Sequence, residues 1–267
     1  MITRTKYNVL LRNSKLLTEK EVAEIKEFEE ANKIKPMVAE TEFQKEYIKK
    51  LRKEPSEENF VVKYEVLLDK FLKRFEELEE VPFDMEYINN IKPVLYYFAK
   101  DERMFSCSNV SVLSEPSFKK GLLIVGNYGN GKTSTMKTLR SLFEHTPKSF
   151  KIFTTNRIVT RFEETDSTKE RFDFMSKTKT GRSYFDDVKT EKDASNYGKH
   201  NLMKDILEER YNSKLLTYIT CNYVENDASE NLVDALHEFN TRYGARVYDR
   251  IFAMFNIIEF KGKSKRK

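Results

Sequence analysis

One short stretch constrains the fold of this chain more than any other: an apolar run that leads into a glycine-rich loop. The run GLLIV begins at Gly121 and is followed by GNYGNGKT, which ends at Thr133 and matches the pattern G-x-x-x-x-G-K-[ST]. The residues that follow place Met136, Leu139 and Phe143 on one side of a helix. A strand, this loop and a helix are the context that a phosphate-binding loop requires, and chance would produce the pattern in about one such chain in a hundred.

The loop predicts a binding site for a nucleoside triphosphate and Mg²⁺. Glycines let the backbone wrap an anion, so that N–H groups and the following helix terminus point at it. The ammonium of Lys132 would neutralise the β- and γ-phosphates, and the hydroxyl of Thr133 would bind the metal ion. We therefore expect ATP and Mg²⁺ as cofactors, contacted by Gly126, Asn127, Tyr128, Gly129, Asn130, Gly131, Lys132, Thr133 and Ser134.

Two adjacent carboxylates follow a later strand that begins at Ser183. Asp186 would hold Mg²⁺ through its water shell, and Asp187 would polarise the attacking water as general base. Glu191 is the less favoured base, because it lies past the end of the strand. Paired acids alone usually lie on a solvated loop, and it is the upstream phosphate-binding loop that favours the catalytic interpretation.

A third strand candidate ends in an amide, at Asn222. In an additional-strand ATPase this strand lies between the strand of the phosphate-binding loop and the acidic strand. Asn222 would then face the γ-phosphate and orient the attacking water. The local sequence is equally compatible with an asparagine that simply opens a turn.

The second half of the chain alternates strands with helices, which predicts an α/β fold with a parallel sheet and helices on both faces. The strand candidates are Leu122–Val125, Phe150–Thr155, Arg182–Phe185, Leu215–Cys221 and Asn256–Phe260. The helix candidates are Lys132–Glu144, Arg157–Glu164, Tyr197–Asn212, Ser229–Asn240 and Ala245–Met254.

The first hundred residues predict helices only. Thr18 and Glu21 form a capping box, Thr41 and Gln44 repeat the signal, and Ser56 can cap a third helix. An apolar stripe along that third helix favours a core position, with a docking surface for a partner protein as the alternative. The stripe consists of Phe60, Tyr64, Leu67, Leu68, Phe71, Leu72, Phe75 and Leu78.

A further helix is expected from Asp84 to Lys100, with Pro93 starting a second piece of it. Serine, asparagine and proline then collect over 101–120, which reads as a linker. The predicted organisation is a helical partner-binding module over 1–100, this linker, and an ATPase domain over 121–267.

Charge differs between the two halves. Residues 1–100 hold 19 basic and 20 acidic side chains, whereas residues 101–267 hold 29 and 23. Five of the basic residues lie in the terminal run KGKSKRK. These charges predict phosphate contacts with DNA, although a frayed and solvated tail is the other interpretation.

Composition excludes several classes of protein. Phe and Tyr supply 20 and 14 side chains, enough for a core, so global disorder is excluded. Cys107 and Cys221 match no metal or redox spacing, which favours two reduced thiols in a cytoplasmic protein. No run of eighteen apolar residues occurs, and the start lacks the features of a signal peptide, so we expect no membrane partner.

Several runs together resemble one family, the DnaC-type helicase loaders, which are AAA+ ATPases related to the IstB-type transposition helpers. The runs are KKGLLIVGNYGNGKT, YFDDVKTE, YGKHNLMKDILEERYNSKLLTYITCNY and RYGARVYDRIFAMFNIIEFKGKSKRK. This resemblance covers about 121–265. It implies an AAA+ domain, single-stranded DNA, assembly into a homo-oligomer, and a replicative DNA helicase as partner, held through residues 1–100.

The resemblance also assigns roles to single positions. Asn222 matches the sensor-1 residue, and Arg246 and Arg250 match two arginines of which one acts as a finger on the neighbouring subunit's ATP. On spacing alone, the other interpretation is that both arginines form surface pairs beside Asp249. Lys189 departs from the family, which often carries glycine there.

Two alternatives to an ATP-dependent helicase loader remain open from the sequence. One is a transposition helper ATPase of the IstB type. The other is a nucleotide-gated DNA-binding adaptor that binds ATP with little turnover.

Overall fold

The computed structural model describes residues 2–12, 18–32, 60–79, 83–165, 167–195, 199–224 and 230–265. Within the chain, contacts separate two compact units, Met1–Ser56 and Glu57–Lys267. The helix predicted around Thr41 and Gln44, and the cap predicted at Ser56, lie outside the described residues. No helix in these described ranges is long and apolar enough to cross a membrane.

The described part of the first unit is helical, with α1 over Arg4–Arg12 and α2 over Glu19–Ala31. The predicted capping box opens α2, because the Glu21 N–H donates to Thr18 and the Thr18 N–H donates back to the Glu21 carboxylate. Helix α1 was not predicted from the sequence. The two helices share a small core made of Tyr7, Leu10, Ile25 and Phe28.

The second unit contains eight α-helices, one 3₁₀-helix over Glu102–Ser106 and five strands among its described residues. Its helices are α3 (Tyr64–Glu79), α4 (Met85–Ala99), α5 (Lys132–Leu142), α6 (Thr155–Glu164), α7 (Thr168–Thr178), α8 (Leu202–Asn212), α9 (Leu232–Tyr243) and α10 (Ala245–Met254). Its strands are β1 (Gly121–Gly126), β2 (Lys151–Thr154), β3 (Ser183–Val188), β4 (Thr217–Cys221) and β5 (Phe255–Phe260).

The five strands form one parallel sheet in the order β2-β3-β4-β1-β5. Strand β4 is therefore inserted between β1, which leads into the glycine-rich loop, and β3, which carries the acidic pair. This insertion defines the additional-strand class of P-loop folds, so the predicted fold class is confirmed. In a parallel sheet all the carboxyl ends meet at one edge, and the loop, the acidic pair and Asn222 consequently lie at that edge.

Each face of the sheet is covered by helices, because alternate residues of the central strands are apolar on both sides. Leu122 and Ile124 of β1 pack with α3, α4 and α5. Leu123 and Val125 pack on the opposite face with α6, α8, α9 and α10. Helices on both faces follow directly from this continuous apolar strand.

The division between the two units differs from the predicted boundary. A separate module was predicted over 1–100 and a linker over 101–120, whereas α3 and α4 belong to the same compact unit as the sheet. Their apolar stripes cover one face of the sheet, and Met104 from the supposed linker is fully buried there. For the stripe from Phe60 to Phe75 the structure thus supports the core interpretation and not the docking surface, whereas Leu78 at its end is 43% exposed.

Two further differences concern helices. Pro93 lies within α4 and does not start a second piece. The carbonyl of Asn89, which loses its helical donor to the proline, accepts a hydrogen bond of 3.4 Å from the Asn109 amide. Helix α7 was not foreseen, although Ser167 caps it by accepting the Glu170 N–H.

Candidate functional site

The glycine-rich loop leaves the sheet at Gly126 and enters α5 at Lys132. Gly129 and Gly131 have φ angles of +73° and +91°, a left-handed region that favours glycine. A Cβ on Gly131 would lie 2.5 Å from the ring of Tyr87 in α4. The Tyr87 hydroxyl also hydrogen-bonds the Thr135 hydroxyl at 2.8 Å. Helix α4 therefore supports the loop from behind, and position 131 accepts only glycine.

Lys132 is 5% exposed and its ammonium lies among oxygen atoms. It donates to the carbonyls of Gly126 at 2.8 Å and Asn127 at 2.6 Å. Side-chain oxygens of Asn130 and Asn222 lie 3.2 and 3.0 Å from it. These contacts hold the ammonium at the mouth of the glycine-rich loop, a position where a lysine suits the β- and γ-phosphates of a nucleotide.

Asp186 is 6% exposed, and one of its oxygens, Oδ1, accepts three hydroxyl hydrogen bonds. Thr133 and Thr220 each donate to this oxygen at 2.8 Å, and the Tyr184 hydroxyl donates to it as well. Burial, and to a smaller extent the negative charge of Asp186, raises the pKa of Tyr184 well above its usual value. The phenol therefore keeps its proton and acts as a hydrogen-bond donor. The network orients a carboxylate against the first turn of α5, which suits a metal ion held through Thr133.

The chain kinks at the acidic pair. The register between β3 and β4 shifts between Phe185 and Val188, and Asp187 has a left-handed φ of +54°. The Thr155 hydroxyl donates to the Asp187 carbonyl at 2.9 Å, and the Asp187 N–H donates to Thr220 at 3.3 Å. Since a left-handed aspartate is strained, these bonds hold it in a conformation that regular β-structure would not adopt.

Asn222 lies just past β4 and is 4% exposed. Its side-chain oxygen faces Lys132, while its side-chain nitrogen Nδ2 is buried without a hydrogen-bond partner among the described residues. Buried donors are nearly always paired, so this orphaned N–H₂ fits an acceptor brought by a ligand. A phosphate oxygen or a water held against it would meet that need.

These groups surround one cleft of about 690 Å³, a volume typical of small-molecule sites. Predicted site residues that line it are Tyr128, Gly129, Asn130, Gly131, Lys132, Thr133, Ser134, Asp186, Asp187 and Asn222. Gly126 and Asn127 lie at the base of the loop, where their carbonyls hold Lys132. Residues that line the cleft but were not foreseen are Phe75, Glu79, Phe83, Tyr87, Lys137 and Lys265.

The unforeseen wall comes from segments that carry no motif. Phe75 and Tyr87 belong to the apolar faces of α3 and α4, and such a stripe does not reveal which of its members borders a cavity. Lys265 belongs to the basic terminal run, whose composition points to solvent. No local signal in the sequence separates these residues from their neighbours.

The terminal segment is fastened to the loop. The Lys265 N–H donates to the Gly129 carbonyl at 2.9 Å, and its ammonium pairs with the Asp84 carboxylate, whose pKa this hydrogen bond lowers. Lys261 exchanges two hydrogen bonds with the Asn90 side chain, at 2.7 and 3.1 Å. Residues 261–265 are thus held by the fold; the last two residues, 266–267, lie outside the described ranges.

The two arginines predicted to complete the site do not line the cleft. Arg246 is exposed, and Arg250 stacks over the ring of Tyr211 at 4.4 Å with its Nη1 buried. Among the described residues, Nη1 has no hydrogen-bond partner and neither guanidinium forms an ion pair with Asp249. The structure therefore separates Arg246 and Arg250 from the other predicted site residues.

Glu191, the less favoured base, also lies outside the cleft. It is 4% exposed and accepts hydrogen bonds from the Tyr243 hydroxyl at 2.6 Å and from Arg242 at 3.3 Å. Both partners lie at the end of α9. The geometry thus directs Asp187, and not Glu191, towards the cleft.

No protein-family model matches the chain, and neither does any curated protein. Among solved structures the chain is similar to "Crystal structure of the DnaC helicase loader", at 22% identity and a TM-score of 0.44, over 71% of this chain and 99% of that one. It is also similar to "Crystal Structure of the DnaI", at 20% identity and a TM-score of 0.44, over 69% and 88%.

A third similar structure is "Structure of AMPPCP-bound DnaA from Aquifex aeolicus", at 13% identity and a TM-score of 0.39. The similarity covers 80% of this chain and 52% of DnaA, so this chain spans about half of that protein.

Proposed function

We propose that the chain binds ATP with Mg²⁺ and hydrolyses it, as an ATPase of the AAA+ type. The observation that carries this proposal is the meeting of Lys132, Asp186 and Asn222 in one cleft at the carboxyl edge of the sheet. A buried cation, an oriented carboxylate and an orphaned amide donor are complementary to a metal-bound triphosphate.

In this proposal each residue has one task. Lys132 and the loop N–H groups bind the β- and γ-phosphates, and Mg²⁺ would supply further neutralisation of their charge through Thr133 and Asp186. Asp187 accepts the proton of the attacking water. The Asn222 amide holds that water or a γ-phosphate oxygen in line for attack.

The direct test compares Lys132→Ala with Lys192→Ala, an exposed lysine outside the cleft. Calorimetry with ATP and Mg²⁺ should show tight binding for the parent and for Lys192→Ala, and its loss for Lys132→Ala, because the buried triphosphate loses its fixed cation. Equal affinity of Lys132→Ala and the parent would overturn the phosphate-site assignment.

Hydrolysis in this proposal is completed by a second subunit. Arg246 is exposed and lies outside the cleft of its own chain. An arginine supplied by a neighbour can raise the rate by about 10³–10⁵, so the isolated subunit would be nearly inert. We accordingly propose that ATP lies between subunits of a homo-oligomer and that Arg246 or Arg250 reaches the neighbour's γ-phosphate.

The broader role that we propose is that of an ATP-dependent helicase loader, which binds single-stranded DNA and places a replicative ring helicase on it. Support comes from the sequence runs described above. Partner binding was assigned to residues 1–100 from the sequence; because α3 and α4 cover the sheet, we now propose residues 1–56 for this role. Capture of a replicative helicase by the full chain, lost when 1–56 are removed, is the test.

The transposition helper and the nucleotide-gated adaptor make different predictions for the same samples. A transposition helper would capture a transposase on duplex DNA and no replicative helicase. An adaptor would bind ATP and DNA but show no DNA-stimulated turnover at any protein concentration.

A further inference from the structure

Lys189 occupies a position that suits glycine. Its φ is +82°, in the left-handed region where a side chain brings strain, and it is only 7% exposed. It follows the acidic pair by two residues, at the end of β3. A buried lysine in a strained conformation requires compensating contacts.

The side-chain contacts of Lys189 join three elements. Its ammonium donates to the carbonyl of Asn222 at 2.9 Å, to the carbonyl of Ala235 in α9 at 3.1 Å, and to the Glu238 carboxylate, also in α9. These acceptors match the three protons of an ammonium group. The lysine therefore ties the ends of β3 and β4 to one helix.

The backbone of Lys189 is held from the same side. Its N–H lies 3.0 Å from the Glu191 carboxylate and 3.0 Å from the hydroxyl of Tyr243, the last residue of α9. Lys189 does not line the cleft, so a bound nucleotide would not touch it. Any effect on the reaction would act through the residues that Lys189 holds.

Asn222, which Lys189 contacts, and Asp187, two positions before Lys189, both line the cleft. Asn222 is anchored through its carbonyl by Lys189, while its side chain meets Lys132 and presents the orphaned Nδ2. Asp187 stands on the same short loop as Lys189. Lys189 thus anchors the backbone that carries the Asn222 amide, and it lies two positions from Asp187, whose own backbone is held by Thr155 and Thr220.

We propose that Lys189 is a positioning residue for ATP hydrolysis, which fixes the Asn222 amide relative to the Asp187 carboxylate and couples both to α9. Helix α9 leads directly into α10, which carries Arg246 and Arg250. Lys189 therefore links the water-orienting groups of one subunit to the helix pair that presents the arginines. This inference rests on the proposed ATPase function.

The test is Lys189→Gly, because glycine adopts φ +82° without strain, while the ammonium and the alkyl chain that carries it are lost. The matched control is Lys214→Gly. Lys214 is exposed, has a left-handed φ of +51°, and its replacement removes the same charge and relieves the same kind of strain. We expect ATP affinity to stay near the parent value in both variants. Turnover should fall roughly ten- to a hundredfold in Lys189→Gly alone, as displaced catalytic groups typically cause.

A second variant tests whether the loss of turnover comes from lost positioning or from the carboxylate that is left without its cation. Lys189→Gly leaves the Glu238 carboxylate, 34% exposed, without its cation, and the double variant Lys189→Gly with Glu238→Gln removes that charge. If Lys189 positions the catalytic groups, the double variant recovers thermal stability but not turnover. Recovery of turnover in the double variant would overturn the proposal.

Other results are equally decisive. Parent-like turnover in Lys189→Gly, or a loss of ATP affinity as large as the loss of turnover, would also overturn the positioning role. A parent protein that binds ATP but does not hydrolyse it, with DNA present and at high protein concentration, would overturn the ATPase proposal itself. The two failures are therefore distinguishable.

Discussion

The hydroxyl of Thr133 donates a hydrogen bond of 2.8 Å to Asp186, across 53 positions of sequence. This contact joins the first turn of α5 to the end of β3. The same carboxylate oxygen is held by Thr220 from β4, so three elements fix its direction. The proposed metal ligands Thr133, from the glycine-rich loop, and Asp186, from the acidic pair, are thus in direct contact.

Replacing Asp186 and replacing Asp187 should have different effects on hydrolysis. Asp187→Asn should retain ATP affinity but lose about 10²–10⁴ in turnover, because the amide cannot accept the proton of the attacking water. Asp186→Asn should in addition raise the Mg²⁺ concentration needed for half-maximal activity. Steady-state hydrolysis over a Mg²⁺ titration measures both effects. Normal hydrolysis by Asp187→Asn would move the base to another acid, with Glu191→Gln as the next variant to assay.

If ATP is hydrolysed between subunits, two inactive variants should restore activity when they are mixed. The variants to compare are Arg246→Ala, Arg250→Ala and Lys132→Ala. The variant that lacks the arginine finger should bind ATP but not hydrolyse it. Mixing that variant with Lys132→Ala should restore activity, since each supplies what the other lacks. Specific activity of the parent should rise with protein concentration. Concentration-independent activity of a monodisperse monomer would leave both arginines as surface charges.

Arg210 lies outside the cleft, and its replacement should strongly reduce the stability of the fold. This arginine is fully buried and donates to three carbonyls, those of Thr178, Gly181 and Leu216, and to the hydroxyls of Thr217 and Ser183. Burial lowers its pKa to about 10, so it stays charged at neutral pH.

Replacing Arg210 by alanine should lower the free energy of unfolding by about 3 kcal/mol or more, because it leaves buried carbonyls unpaired and a cavity. Denaturant titration measures this. Arg140→Ala, which removes a surface pair with Glu144, is the control and should cost less than about 1 kcal/mol. A similar, small change in both variants would show that water replaces the Arg210 contacts.

The terminal charges predict a salt-dependent contribution to DNA binding. Lys265 is engaged with Asp84 and Lys261 pairs with Glu259, whereas Lys263 is exposed. The variant therefore changes Lys263 together with Arg266 and Lys267, which lie outside the described residues. Replacing these three by serine should weaken single-stranded DNA binding and reduce the slope of log affinity against log salt by about 2. Replacement of the exposed Lys70 and Lys73 on α3 is the control. An unchanged slope would assign DNA binding to other surfaces of the chain.

The sequence predicts the parts of this site that lie in contiguous motifs. The glycine-rich loop and the Asp186–Asp187 pair are recognisable because phosphate and metal chemistry demand those residues in that order. Tyr87 and Lys265 were not foreseen, because their roles depend on which face of α4 meets the loop and where the chain passes after β5. Apolar periodicity predicts that a helix is buried, but it does not name the surface that buries it.

Lys189 shows another limit. A glycine at that position would have indicated a left-handed backbone conformation, whereas a lysine gives no such signal. The lysine also gives no sign of the three side-chain contacts that compensate for its strain. Charged residues are normally expected at the surface, so sequence patterns assign such a lysine to solvent. The boundary near residue 57 escaped for a related reason, since helices of either unit have similar amphipathic patterns.

The attachment of residues 261–265 to the Gly129 carbonyl also has a practical consequence. Lys263 is exposed and lies two residues before Lys265, which lines the cleft, in a segment outside the helices and the sheet. A fluorophore introduced through Lys263→Cys would sense changes at the glycine-rich loop while every lining residue stays intact. Occupancy of the site could then be followed in real time, by emission alone, in the unaltered cleft.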